Sequence, residues 1–144
     1  MLRGAVFGFG NMGRQFTRFV NGSEDLGARI VVAVNRGPAG LEAARSEFGL
    51  KATGSVEEAL DLGLDFVIVS STTAAHAAQV IAAAARGCAV FCEKPIALNL
   101  ADADRMIATV REAGSMSVVN YIMRFNPGYR RIKDMIDAGE LGEV

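Results

Sequence analysis

Lys94 stands between an acid and a proline, in Glu93-Lys94-Pro95, directly after the apolar run Ala89-Val90-Phe91-Cys92. An ammonium held at the end of a buried strand can polarise a carbonyl or stabilise a developing alkoxide. Near the other end of the chain, Gly8-Phe9-Gly10-Asn11-Met12-Gly13 fits the pattern G-x-G-x-x-G. The first glycine permits a tight turn, the second lets the backbone approach a pyrophosphate, and the third allows close packing of helix on strand. The start of the following helix offers free N–H groups and partial positive charge to an anion. Together the two motifs predict a nicotinamide dinucleotide site with a lysine near the reacting end of the cofactor.

The second strand should end on the residue that reads the adenine ribose. That residue is Asn35, 22 positions after Gly13, and Arg36 follows it. An aspartate at position 35 would bind the ribose hydroxyls of NAD and repel a 2′-phosphate; an asparagine lacks that charge. Arg36 can pair with a 2′-phosphate or stack on adenine. A charged hydrogen bond of roughly 1.5–3 kcal/mol corresponds to a preference of about ten- to a hundredfold. The pair therefore predicts NADP as the preferred cofactor, with NAD as the other choice.

Regular strand–helix alternation must position these residues. Strands are expected at Leu2–Phe7, Arg29–Val34, Lys51–Thr53, Asp65–Ser70, Cys88–Cys92 and Ser117–Tyr121. Helices are expected at Asn11–Val20, Pro38–Phe48, Thr73–Arg86, Asn99–Ala113 and Pro127–Ala138, with a short one opened by the capping box Ser55-Val56-Glu57-Glu58. The first helix shows Met12, Phe16, Phe19 and Val20 on one face, and the Asn99 helix shows Leu100, Ala103, Ile107 and Val110. This order predicts an α/β fold with a doubly wound, six-stranded parallel sheet of the Rossmann type. Ser71, Thr72 and Thr73 then fall at the carboxyl end of the fourth strand, beside the cofactor cleft, and Thr73 can cap the next helix. His76 falls in the first turn of that helix; a packing or capping role and a role at the cofactor both stay open.

The bulk composition narrows the alternatives. A chain of 144 residues with 51% hydrophobic and 22% charged residues can bury a real core, so disorder is excluded. A formal net charge of −1 leaves no basic excess to grip a phosphate backbone, which argues against nucleic-acid binding. Cys88 and Cys92 are four apart on one expected strand, too far for an unstrained disulfide, and read as reduced thiols. His76 is the only histidine, so no metal site is expected. Neither a membrane-spanning stretch nor a signal peptide is apparent, and the default location is the cytoplasm.

The residues GFGNMG at 8–13, STTAAHAAQVIAAAARGCAVFCEKPIALNLADA at 71–103 and YIMRFNPGYRRIKDMIDAGELGEV at 121–144 resemble the Gfo/Idh/MocA family of sugar and polyol oxidoreductases. The resemblance covers the whole chain. It implies that Lys94 lies beside the nicotinamide and contacts the reacting oxygen of a small sugar or polyol. It implies that Glu93 helps fix the strand end and the ribose region, and that Pro95 shapes the turn that aims Lys94. Many relatives look like Thr-Pro-Asn where this chain has Ser71, Thr72 and Thr73; the departure at Thr72 and Thr73 leaves their hydroxyls able to bond the cofactor.

Arg124 and Asn126 match a basic-aromatic-polar run that faces the substrate in relatives; for Arg124 a structural salt bridge stays open. Met123 replaces a residue that is often basic there. The resemblance divides the chain into a dinucleotide-binding domain over residues 1–125 and the start of a substrate domain over residues 126–144. It implies that the general base and most of the substrate pocket lie beyond Val144; a homo-oligomer of the full-length form stays open. The expected activity is hydride transfer between nicotinamide and a hydroxyl or carbonyl compound. The alternative is a non-catalytic cofactor-binding sensor, or a subunit completed by another chain. An exposed stripe of Tyr129, Ile132 and Ile136 on the last helix is also expected, with a tendency to self-association.

Overall fold

Leu2–Phe7 forms β1, Ala28–Val34 β2, Lys51–Thr53 β3, Phe66–Val69 β4, Ala89–Cys92 β5 and Ser117–Val119 β6. Asn11–Gly22 forms α1, Pro38–Phe48 α2, Val56–Leu60 α3, Thr73–Ala85 α4, Leu100–Glu112 α5 and Pro127–Asp137 α6, with 3-10 turns at Glu24–Leu26 and Ile122–Phe125. The structure is a computed structural model, and it describes residues 1–143. All strand pairings are parallel, in the order β3-β2-β1-β4-β5-β6. The order reverses between β1 and β4, and in doubly wound sheets the ligand crevice opens at the carboxyl ends of those two strands.

Alternation along the strands splits the core into two layers. Ala5, Phe7, Val32, Val34, Val67, Val69 and Val90 point to one face, against Leu60, Val80, Ala83 and Met106 from α3, α4 and α5. Val6, Ile30, Ala33 and Ile68 point to the other, against Phe9 and against Ala43 and Ala44 of α2. With both faces covered, the inner strands read as nearly continuous apolar runs.

Local signals start and stop the helices as the sequence predicts. Pro38 occupies the first turn of α2 and Gly49 closes it at φ 64°. Ser55 accepts from the Glu58 N–H, and Asn99 accepts from the Asp102 N–H at 2.8 Å. Thr73 does not cap α4; the cap position falls on Thr72, whose side chain makes no capping bond.

Two helix faces differ from expectation. On α1 the fully buried residues are Gly13 and Thr17, Phe16 and Val20 are half-buried, and Phe19 is 65% exposed. The glycine loop draws the start of α1 so close to the sheet that small residues must face it. The Thr17 hydroxyl spends its hydrogen on the Gly13 carbonyl at 2.8 Å, which makes it tolerable there. On α5 the buried residue is Met106, with Ala103 and Val110 half-buried, while Leu100 and Ile107 face outward. Strand six ends at Val119 rather than Tyr121, because the chain turns into the 3-10 segment Ile122–Phe125.

Tyr129, Ile132 and Ile136 are exposed on α6 as expected. Among the described residues, no helix is long and apolar enough to cross a membrane.

Candidate functional site

The glycine loop between β1 and α1 is held by the strand ends around it. Gly8 sits at φ 92°, a conformation that suits glycine, and a methyl group there would collide with the Ser71 backbone. A methyl group on Gly13 would collide with the Gly8 carbonyl. Gly10 differs: nothing lies within 4 Å of where its Cβ would be, so its backbone faces open space. Gly10 is also the cap residue of α1 and has no side chain to cap it, so the first N–H groups of the helix stay available to an anion.

Asn11 and Met12 begin α1 as exposed residues. Phe9 turns inward, 2% exposed, with its ring edge-on to Phe48 at 5.6 Å; only its backbone belongs to the loop surface.

Asn35, at the end of β2, spends its side chain on the loop. Its Oδ1 accepts from the Phe9 N–H at 3.1 Å, and its Nδ2 donates to the Gly37 carbonyl at 3.0 Å. An aspartate would keep the first bond and set a carboxylate against the Gly37 carbonyl, so this backbone selects the amide. Arg36 is exposed and reaches across the crevice, donating to the Thr72 hydroxyl at 3.3 Å.

The resulting cleft, about 550 Å³, is lined by Gly8, Gly10, Asn35, Arg36, Ser71 and Thr72, among others. It lies at the β1/β4 switch point.

The turn after β4 closes one side. The Ser70 hydroxyl donates to the Gly8 carbonyl at 2.9 Å, fastening the loop to β4. The Ser71 hydroxyl bonds Gln79 Oε1 at 2.6 Å. Thr73 opens α4 half-buried. His76 is fully buried behind this turn and does not line the cleft; its ring nitrogens lie within hydrogen-bond distance of the carbonyl oxygens of Pro95 and Ser71.

Glu93 and Lys94 part ways at the end of β5. Glu93 is 8% exposed, and both carboxylate oxygens are occupied. Oε2 accepts from the Lys94 N–H at 3.1 Å, and Oε1 accepts from Asn120 Nδ2 at 2.8 Å. Lys94 and Pro95 are exposed. They line a second open cleft, about 680 Å³, with Asn120, Tyr121, Ile122, Met123 and Arg124. Lys94 and Arg124 thus share one cleft. Asn126 does not line it: the Asn126 side chain caps α6, accepting from the Gly128 N–H at 2.9 Å.

Sequence reasoning missed Ser70 and Asn120. Each is a polar residue at the carboxyl end of a parallel strand, where such folds place ligands, and that position was the available signal.

Both cysteines are free and buried. Burial pushes the Cys88 thiol up, and burial with the neighbouring Glu93 charge pushes Cys92 up to about 12, so neither is a nucleophile near neutrality. Among the described residues, no cluster of three or more His, Cys, Asp or Glu side chains could hold a metal ion.

The profile of an oxidoreductase family with an NAD-binding Rossmann fold, Gfo/Idh/MocA, matches residues 2–121. The chain belongs to the Gfo/Idh/MocA family. This Gfo/Idh/MocA chain is 32% identical over 144 residues to the scyllo-inositol 2-dehydrogenase (NAD(+)) of Bacillus subtilis, covering 99% of this chain and 42% of that protein. It is 34% identical over 145 residues to the 2,7-anhydro-N-acetylneuraminate hydratase of Mediterraneibacter gnavus, covering 97% and 37%.

Among solved structures, the WlbA dehydrogenase of Bordetella pertussis in complex with NADH and UDP-GlcNAcA superposes with a TM-score of 0.89 at 27% identity, covering 98% of this chain and 43% of that one. The Gfo/Idh/MocA chain therefore spans about two-fifths of the length of the relatives it matches.

Proposed function

We propose that this chain is the cofactor-binding part of an NAD(P)-dependent oxidoreductase acting on a sugar, polyol or related hydroxyl or carbonyl compound, with NADP preferred. The observation that carries the reading is the pair of open clefts at the carboxyl edge of the sheet. One has the unobstructed Gly10 backbone at a helix start, and the next has the exposed Lys94. The inositol dehydrogenase among the relatives supports a polyol as substrate.

The residues present fit such a cofactor. Open space at Gly10 and free N–H groups on α1 suit a pyrophosphate. Asn35 is committed to the loop, which leaves Arg36 as the side chain able to meet a 2′-phosphate. When bound, the cofactor supplies the hydride acceptor or donor.

The chain's own residues take up three roles around it. Lys94 presents an ammonium to the reacting oxygen and stabilises negative charge that develops on it. Glu93 holds the Lys94 backbone, and Arg124, across the same cleft, orients the hydroxyl compound.

The test is cofactor reduction at 340 nm with a panel of inositols and sugars, comparing wild type with Lys94→Ala. The reading predicts cofactor binding by this chain, turnover with at least one polyol when a substrate domain completes the pocket, and there a loss of about 10²–10³ in kcat for the variant, the scale for one stabilising donor. Cofactor binding without turnover even then would favour a cofactor-binding sensor or a subunit completed by another chain.

A further inference from the structure

His76 is the only histidine, is 1% exposed, and lies behind the cleft rather than in it. Its Nδ1 is 3.0 Å from the Pro95 carbonyl oxygen, and its Nε2 is 3.2 Å from the Ser71 carbonyl oxygen. Carbonyl oxygens only accept, and a neutral imidazole carries one N–H, so the ring donates to one of the two; the shorter contact assigns that hydrogen to Nδ1, toward Pro95, and Nε2 packs against the Ser71 carbonyl. The two carbonyls belong to the two halves of the proposed site. Ser71 follows Ser70, which fastens the glycine loop through Gly8. Pro95 follows Lys94.

We propose that His76 is a positioning residue, whose ring ties the turn that holds the phosphate loop to the loop that carries Lys94. The inference rests on the reading of Lys94 given above. Its physical basis is that Lys94 has few other restraints. Its side chain is exposed, and its backbone is held by a single carboxylate oxygen of Glu93. Fixing the next carbonyl in the chain limits where the ammonium can point, and a group held loosely by its support loses much of its effect on reaction. Because the ring stands on the first turn of α4, directly after the Ser71 turn, movement of the phosphate loop on cofactor binding is transmitted to Lys94.

Two substitutions separate the two arms. His76→Asn keeps an amide near the Nδ1 position, toward Pro95, and His76→Gln keeps one near the Nε2 position, toward Ser71.

The experiment is nitrogen-15 NMR on the whole chain, where one histidine gives one set of ring signals. In the wild type, Nδ1 should carry hydrogen, and the ring signals should move when NADH or NADPH is added. In His76→Ala the backbone amide signals of Lys94 and Ile96 should shift. His76→Asn should restore them more fully than His76→Gln. Cofactor affinity should fall by roughly two- to tenfold in His76→Ala, the scale of one lost hydrogen bond.

A wild-type ring with bare Nδ1 would overturn the proposal. So would a folded His76→Ala whose Lys94 and Ile96 signals stay in place. If no cofactor binds the wild type, the proposed function fails, yet the ring nitrogens and the amide shifts still decide the clamp. If His76→Ala does not fold, the wild-type tautomer and the contrast between the Asn and Gln variants decide it.

Discussion

Asn120 donates to the Glu93 carboxylate at 2.8 Å, joining the carboxyl ends of β6 and β5 across 27 residues of sequence. The bond matters because Glu93 is buried and its other oxygen is already committed to the Lys94 backbone. Asn120→Ala should leave a buried carboxylate oxygen without its partner. The expected cost is about 1–3 kcal/mol of unfolding free energy, more than an ordinary surface change. Urea denaturation of wild type and variant measures it, and a shift below about 0.5 kcal/mol would mean that water replaces the amide freely.

The glycines of the loop should divide by what surrounds them. Gly13→Ala forces a methyl group into the Gly8 carbonyl, so it should lower stability and cofactor binding together. Gly10→Ala meets no protein atom, and Gly10 has φ −88°, which alanine adopts readily. It should keep the melting temperature within a few degrees and weaken binding, by crowding the pyrophosphate rather than the protein. Thermal melts with and without NADPH distinguish the two.

The proposed preference for NADP rests on Arg36. Arg36→Ala should weaken NADPH binding by roughly ten- to a hundredfold, the equivalent of one charged hydrogen bond, and leave NADH binding within about threefold. Fluorescence titration with both cofactors reads the ratio. Equal losses for both would place Arg36 on the adenine or ribose rather than on the 2′-phosphate.

Cys92 makes stability fall at alkaline pH. The native thiol holds its proton to about 12, whereas the unfolded chain releases it near 9.0. Above pH 9 the unfolded state binds fewer protons than the native state, so unfolding becomes easier as pH rises toward 12. Denaturation at pH 8, 9.5 and 10.5 should show this decline, and Cys92→Ser should flatten part of it. A thiol reagent at pH 8 should meanwhile react slowly with the native chain and fast in urea, since both cysteines are buried.

Much of the fold was legible because its signals are local. Capping by Ser55 and Asn99, Pro38 at the start of α2 and Gly49 at its end are short-range patterns, and each stands where the sequence places it. The helix faces of α1 and α5 were less legible. Periodicity picks out large apolar residues such as Phe19 and Leu100, whereas the distance between helix and sheet decides which size fits. On α1 that distance admits only Gly13 and Thr17 in full burial.

The site divides in the same way. The glycine loop and Lys94 sit in contiguous motifs that the sequence displays directly. Asn120, Ser70 and the commitment of Asn35 to Phe9 and Gly37 arise from contacts between strand ends that only the assembled sheet brings together.

The most direct test of the central claim is calorimetric titration of the 144-residue chain with NADPH and with NADH. The account predicts saturable, one-to-one binding of both, with NADPH tighter by about ten- to a hundredfold, the worth of one charged hydrogen bond from Arg36. A folded chain that binds neither cofactor would contradict the assignment of the cleft at Gly10.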